Sequence, residues 1–236
     1  MMASLNRIRP CHFPAVAGAR AGLALLALLL VLAAAGNPWL LSRAQLDALQ
    51  AQYGQQAVER IQDWQHLLAS SRGQSETEKL ARVNSFFNRL RFVSDQAHWG
   101  QEDYWATPVE FLATAGGDCE DFSIAKYFTL RALGVSTEKL RLIYVKATRI
   151  NQAHMVLGYY ATPDAEPWIL DNLEPRIRPA SERPDLIPSY SFNGNSLWRA
   201  KMLREGGKKV GKSENIGIWK MLMERVMQST RGSGDR

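Results

Sequence analysis

Apolar residues change their spacing several times along the chain, and each change marks an element. A continuous run, AGLALLALLLVLAAA from Ala21 to Ala35, comes first. From Ser42 to Ser70 the apolar positions thin to Leu46, Leu49, Ala57, Ile61, Trp64 and Leu68, which predicts one or two amphipathic helices broken near Tyr53-Gly54. Ser75 and Glu78 form a capping box ahead of Leu80, Val83, Phe87 and Leu90, predicting a helix that ends near Arg91. Periodicity then lapses from Phe92 to Thr114, FVSDQAHWGQEDYWATPVEFLAT, an irregular but packed connection in which Pro108 opens a turn of helix. Gly116-Gly117 lead into Asp118, a good N-cap, and CEDFSIAKYFTLRAL runs as a buried helix to Leu133 before Gly134 stops it.

Beyond that helix the period falls to two. Leu140 to Thr148, Ala153 to Ala161 and Trp168 to Asp171 are rich in β-branched and aromatic residues and read as strands. Helices followed by a meander of antiparallel strands make an α+β architecture. The prolines and polar residues from Leu173 to Asn195 read as a surface loop. Trp219, Leu222, Met223 and Val226 form an apolar stripe near the C-terminus, suited to docking on the core or, as the alternative, to binding a partner.

Composition and charge sharpen this division. The chain's 236 residues suffice for one domain with a leader and a tail. Arg7, Arg9 and Arg20 precede the apolar run, no acidic residue does, and Ala33-Ala34-Ala35 offers a small-residue cleavage site. Residues 1–35 are therefore a signal peptide or, uncleaved, a membrane anchor, and either directs the rest to the periplasm. Residues 36–198 form the domain, and 199–236 a basic tail with an amphipathic helix. The net charge of +6 is concentrated in the leader and that tail, with no basic run interleaved with aromatics, which argues against nucleic acid as a partner. Cys11 lies in the leader, so Cys119 has no internal disulfide partner; an exported lone thiol is either buried and inert or used.

Three residue types of nucleophilic catalysis occur in register with the predicted elements. Cys119 opens the buried helix in GGDCEDF. Of the histidines, His12 is in the leader, His66 in a helix and His98 in the aromatic connection, whereas His154 starts a strand, a rigid platform for a base. A hairpin turn centred on Thr162-Pro163 places Asp171 directly opposite His154 on the same face, so that Cys119, His154 and Asp171 supply thiol, imidazole and carboxylate. The Cys119 amide suits an oxyanion, with a second donor from the connection, for which Gln101 and Trp105 are candidates. Asp118, Glu120 and Asp121 surround the thiol in sequence, yet at 100° per residue they fall on the half of the helix turned away from it. Two readings stand: helix-cap and dipole charges, or oxygen ligands for a hard cation such as Ca²⁺.

GGDCEDF with IAKYFTLRALG, the upstream DQAHWGQEDYWATPVEFL, the strand AHMVLGYY and WILDN together resemble the bacterial transglutaminase-like cysteine proteinases, over about Val83 to Trp198. The resemblance implies a papain-like, transglutaminase-like core, a Cys119–His154–Asp171 triad, and calcium held through Asp118 and Glu120, with Asp121 beside them. It further implies cleavage of the N-terminal region of a large surface adhesin near a di-alanine site, which releases adhesin from a biofilm, and sequestration by an inner-membrane cyclic-di-GMP receptor. Two alternatives share the same residues: a transglutaminase or amidase on the same triad, or an exported binding module that performs no catalysis.

Overall fold

A computed structural model describes residues 39–199, 202–204 and 207–231. The leader with its cleavage site, Cys11 and His12 lie outside the described residues. Among the described residues no helix is long and apolar enough to cross a membrane.

Two helices follow the first amphipathic stretch: α1 (Arg43–Tyr53), closed at its start by a Ser42–Gln45 capping box, and α2 (Gln55–Ser71). The break falls at Gly54, whose φ of 81° favours glycine. Ala57, Ile61, Trp64 and Leu68 of α2 are buried. The Ser75–Glu78 box opens α3 (Glu76–Phe87), which stops before Arg91 because Arg91–Phe92 (β1) is drawn into pairing with Gly116–Gly117. The connection holds a single turn, α4 (Asp95–His98), and the Pro108-led α5 (Pro108–Thr114). Gly116–Gly117 then forms β2, parallel to β1. Neither glycine has room for a side chain: a Cβ at Gly116 would crowd the Arg91 carbonyl, and one at Gly117 would overlap the Asp121 carboxylate. The buried helix α6 (Cys119–Ala132) ends ahead of Gly134, at φ 85°.

The strands are β3 (Leu140–Ala147), β4 (Gln152–Tyr159), β5 (Trp168–Leu170), β6 (Arg178–Pro179), β7 (Leu186–Phe192), β8 (Leu197–Arg199) and β9 (Lys208–Gly211). They form one antiparallel sheet in the order β6-β5-β4-β3-β7-β8-β9. Among the described residues, seven α-helices and this sheet make the fold α+β, but the strands are not a plain meander, since the chain leaves the β5–β6 edge and returns beside β3. The expected surface loop from Leu173 to Asn195 is therefore corrected: it contains β6 and the interior strand β7. Pro188 is tolerated in β7 because the register slips there, Tyr144 pairing with Tyr190 and Val145 with Pro188.

One sheet face, with Leu142, Met155, Leu157, Leu170 and Phe192, packs beneath α6 and the other helices; Ile143, Val145, Val156 and Ile169 fill the other face with Ala180, Leu186 and Leu203. The tail closes on the first of these cores. In α7 (Gly217–Arg231) Trp219 stacks on Phe128 at 5.9 Å and meets Phe192 edge-on at 5.2 Å, and Leu222 and Val226 are buried.

Candidate active site

Helix α6 brings Cys119 to the sheet. Ser123, one turn on, donates from Oγ to the Met155 carbonyl at 3.0 Å, holding the start of α6 against β4 one residue from His154. The Met155 backbone also favours the thiolate form of Cys119, but burial and then the Glu120 and Asp118 carboxylates push the thiol pKa up. Sγ donates to Glu120 Oε2 at 3.0 Å, and no hydrogen bond joins the thiol to the imidazole. Placing all three acids away from the sulfur is thus corrected for Glu120. An angular separation of about 100° at the helix surface is only a few ångströms, which a glutamate side chain spans.

His154 and Asp171 do meet, by a different register. Leu157 pairs with Leu170 and Gly158 with Ile169, which would set Val156, not His154, opposite Asp171. The reversal is a Thr162–Ala165 turn, Ala165 N–H donating to Thr162 O at 3.0 Å, with Pro163 at its second position where a fixed φ is favourable. That moves the turn centre by one residue and the register by two, an even number, so the two side chains keep a common face as diagonal neighbours. His154 Nε2 lies 2.8 Å from Asp171 Oδ1, and both residues are buried. Oδ1 also accepts from Leu173 N–H at 3.0 Å, and Oδ2 accepts from Arg183 Nη2 at 2.8 Å. Burial would raise this acid, but His154, the Leu173 amide and Arg183 outweigh it and hold Asp171 at about 2. Lys126, 1% exposed on α6, is lowered to about 7 by burial, with the charge of Asp171 partly opposing the shift.

A second cluster surrounds the thiol. Asp95, Asp118 and Asp121 have carboxylate oxygens within 4.8 Å of one another, and so do Asp95, Asp103 and Glu120. Burial, then Glu120, raises Asp118 to about 8; burial raises Asp95 to about 6 and also raises Glu120. Asp118 Oδ1 and Asp95 Oδ1 are buried without hydrogen-bond partners. Asp121 is fully buried and engaged by the backbone: Oδ1 accepts from Ala106 N–H at 2.7 Å and Oδ2 from Asp118 N–H at 3.2 Å. All-oxygen donors, mutual repulsion and two orphaned oxygens fit a hard divalent cation. Of the oxyanion candidates, Trp105 has committed its indole N–H to Asp103 Oδ1 at 2.9 Å, and Gln101 is exposed.

The sequence model of the bacterial transglutaminase-like cysteine proteinases (BTLCP) matches residues 53–194, more than half of the chain. The chain belongs to this family. The proteinase also superposes on solved structures of LapG from Legionella pneumophila. One has a TM-score of 0.68 and 44% identity, covering 79% of this chain and 97% of that one. An EGTA-treated form has a TM-score of 0.69 and 44% identity, with coverages of 79% and 98%. A calcium-bound form has a TM-score of 0.67 and 43% identity, with coverages of 78% and 99%. No curated protein sequence matches the chain.

Four residues of this proteinase's site escaped the sequence reading. Asp95 and Asp103 lie in the irregular connection, where no period marks which acids turn inward. Arg183 lies in the segment taken for a surface loop. Lys126 follows Cys119 by seven residues, two helical turns, and that spacing alone could have placed it on the thiol's side of α6.

Proposed function

We propose that this proteinase is a calcium-dependent cysteine endopeptidase of the periplasm that cleaves the N-terminal region of a large surface adhesin near a di-alanine site, releasing it and dispersing biofilm. The observation that carries the reading is the buried His154–Asp171 pair beside the helix that begins at Cys119. His154 takes the thiol proton on Nδ1, the ring nitrogen that Asp171 does not engage, and Asp171 stabilises the imidazolium. The thiolate adds to the scissile carbonyl. The Cys119 N–H, first in its helix and so without an intrahelical acceptor, donates to the developing oxyanion. Collapse expels the amine, protonated by His154, and water activated by the same imidazole hydrolyses the thioester.

Asp118 and Glu120 would hold the cation, with Asp95 and Asp103 adjoining and Asp121 behind them. Bound Ca²⁺ supplies positive charge that offsets the carboxylate field at the sulfur. Without that charge, Glu120 keeps the thiol in a hydrogen bond and its proton is hard to remove. The calcium-bound and EGTA-treated LapG structures support this reading. The arginine-flanked apolar run supports export, and the family resemblance supports an adhesin substrate and an inner-membrane cyclic-di-GMP receptor as the sequestering partner.

The test is incubation of the full chain and its Cys119→Ala variant with an N-terminal fragment of the host's own adhesin, calcium chloride and a fluorescent amine. Two fragments without amine incorporation are expected from the wild-type chain alone. Amine incorporation without cleavage would make the enzyme a transglutaminase, and identical behaviour of the two proteins would end the catalytic reading.

A further inference from the structure

Between β6 at one edge and β7 beyond β3, the chain must cross β5, β4 and β3. The crossing starts where Pro179 pairs with Trp168, passes Ala180 on the face that holds Val145, Val156 and Ile169, and arrives where Leu186 pairs with Ala147, the end of the sheet nearer His154. The Asp185 carbonyl accepts from Thr148 N–H at 2.8 Å, just past β3, and Arg183 N–H donates to Ala180 O at 3.0 Å, just past β6. Arg183 is the inward side chain of this crossing, 3% exposed. Its Nη2 reaches Asp171 Oδ2 at 2.8 Å, while Nε and Nη2 also grip Asp185 Oδ1 and Oδ2 at 3.0 and 2.9 Å. The fork-to-fork pair with Asp185 sets the guanidinium plane, as an ammonium could not.

We infer that Arg183 is a positioning residue for the triad acid: held by Asp185, it ties down Asp171 Oδ2 so that Oδ1 stays with His154 Nε2. A carboxylate torsion is soft and roughly two-fold, so an aspartate held through one oxygen turns easily. Here donors on both oxygens remove that freedom, and the imidazole is oriented in consequence. The inference rests on the reading of Cys119, His154 and Asp171 as the catalytic set.

The test needs no natural substrate. The rate at which iodoacetamide alkylates Cys119 in the full chain, with calcium present and at one pH, is read on the Cys119 peptide by mass spectrometry for Asp171→Asn, Arg183→Gln, Arg183→Lys, Asp185→Asn and the Asp171→Asn/Arg183→Gln double variant. Arg183→Gln is expected to slow alkylation about 10–100-fold, the scale of a misplaced catalytic group. Arg183→Lys should fall between it and wild type, and the double variant should be no slower than Asp171→Asn alone. The downfield His154 ring N–H proton in ¹H NMR should shift or broaden in Arg183→Gln. A wild-type rate in Arg183→Gln beside a slowed Asp171→Asn, or losses that add in the double variant, would overturn the positioning role and leave the triad reading standing. A wild-type rate in Asp171→Asn would overturn the triad reading itself, and this inference with it. If Arg183→Gln does not fold, Asp185→Asn decides: a slowed rate is expected, and a wild-type rate overturns the proposal.

Discussion

Asp171 collects three donors around one buried carboxylate, and the cost of protonating it shows in how stability depends on pH. Its pKa of about 2 lies below that of an unfolded aspartate, so its stabilising contribution is fully present above about pH 4 and is lost as pH falls through about 2. The contribution is roughly 2 kcal/mol. Urea midpoints between pH 5 and 2 should therefore fall more steeply for wild type than for Asp171→Asn. Lys126 has the opposite sign. Burial holds it near 7, below an unfolded lysine, so its penalty is full below pH 7 and fades towards pH 10. Replacing it with Met should stabilise the fold at pH 6 by about 1–4 kcal/mol, with the gain over wild type shrinking by pH 10; an unchanging difference would mean that the ammonium is not the source. Of these two groups only Asp171 was marked out by sequence, because a WILD strand end beside a histidine strand is a pattern, while a lysine on an amphipathic helix ordinarily lies on the solvated face.

The start of α6 depends on what precedes it as much as on its own residues. Gly117 gives Asp121 the space to accept from Ala106 and Asp118, and through Ala106 to hold the connection carrying Asp103. Gly117→Ala should lower stability by about 1–3 kcal/mol by overpacking, measured as a urea midpoint shift at unchanged m-value. The Gly-Gly pair was visible as a lead into a helix; the acid it accommodates was not, since its neighbours come from another part of the chain. Helix α7 was legible from its stripe alone: Trp219, Leu222 and Val226 recur at three- and four-residue steps and all are buried. Arg225 adds a reach from α7 to the Trp105 carbonyl and lies over the Tyr104 ring at 4.5 Å, bracing the same connection. Trp219→Ala should cost about 3–5 kcal/mol by large-to-small truncation in the core. Strand β7 was missed because proline ordinarily breaks a ladder, and only pairing with β3 reveals the slip that accommodates it.

Across the whole molecule, acids drawn from the connection and from the start of α6 are forced together within one fold, and their repulsion is borne by the folded state alone. A cation that binds the folded chain must then stabilise it by mass action, about 2.7 kcal/mol at a hundredfold excess over its Kd. Adding EGTA should lower the melting temperature, and Asp118→Asn with Glu120→Gln should abolish the difference between calcium and EGTA; a melting temperature indifferent to calcium in the wild-type chain would remove the cation from the account. The longer helices, the caps at Ser75 and Asp118, strands β3, β4 and β5 and the order of thiol, imidazole and carboxylate were readable beforehand, because periodicity, capping and parity are local properties of the chain. The two-residue register shift, the Glu120 contact at the sulfur, the inclusion of Asp95 and Asp103, and the grip of Arg183 on Asp171 were not. Each joins residues from different elements, or turns on where a flexible side chain ends, and such choices are made only when packing closes the chain on itself.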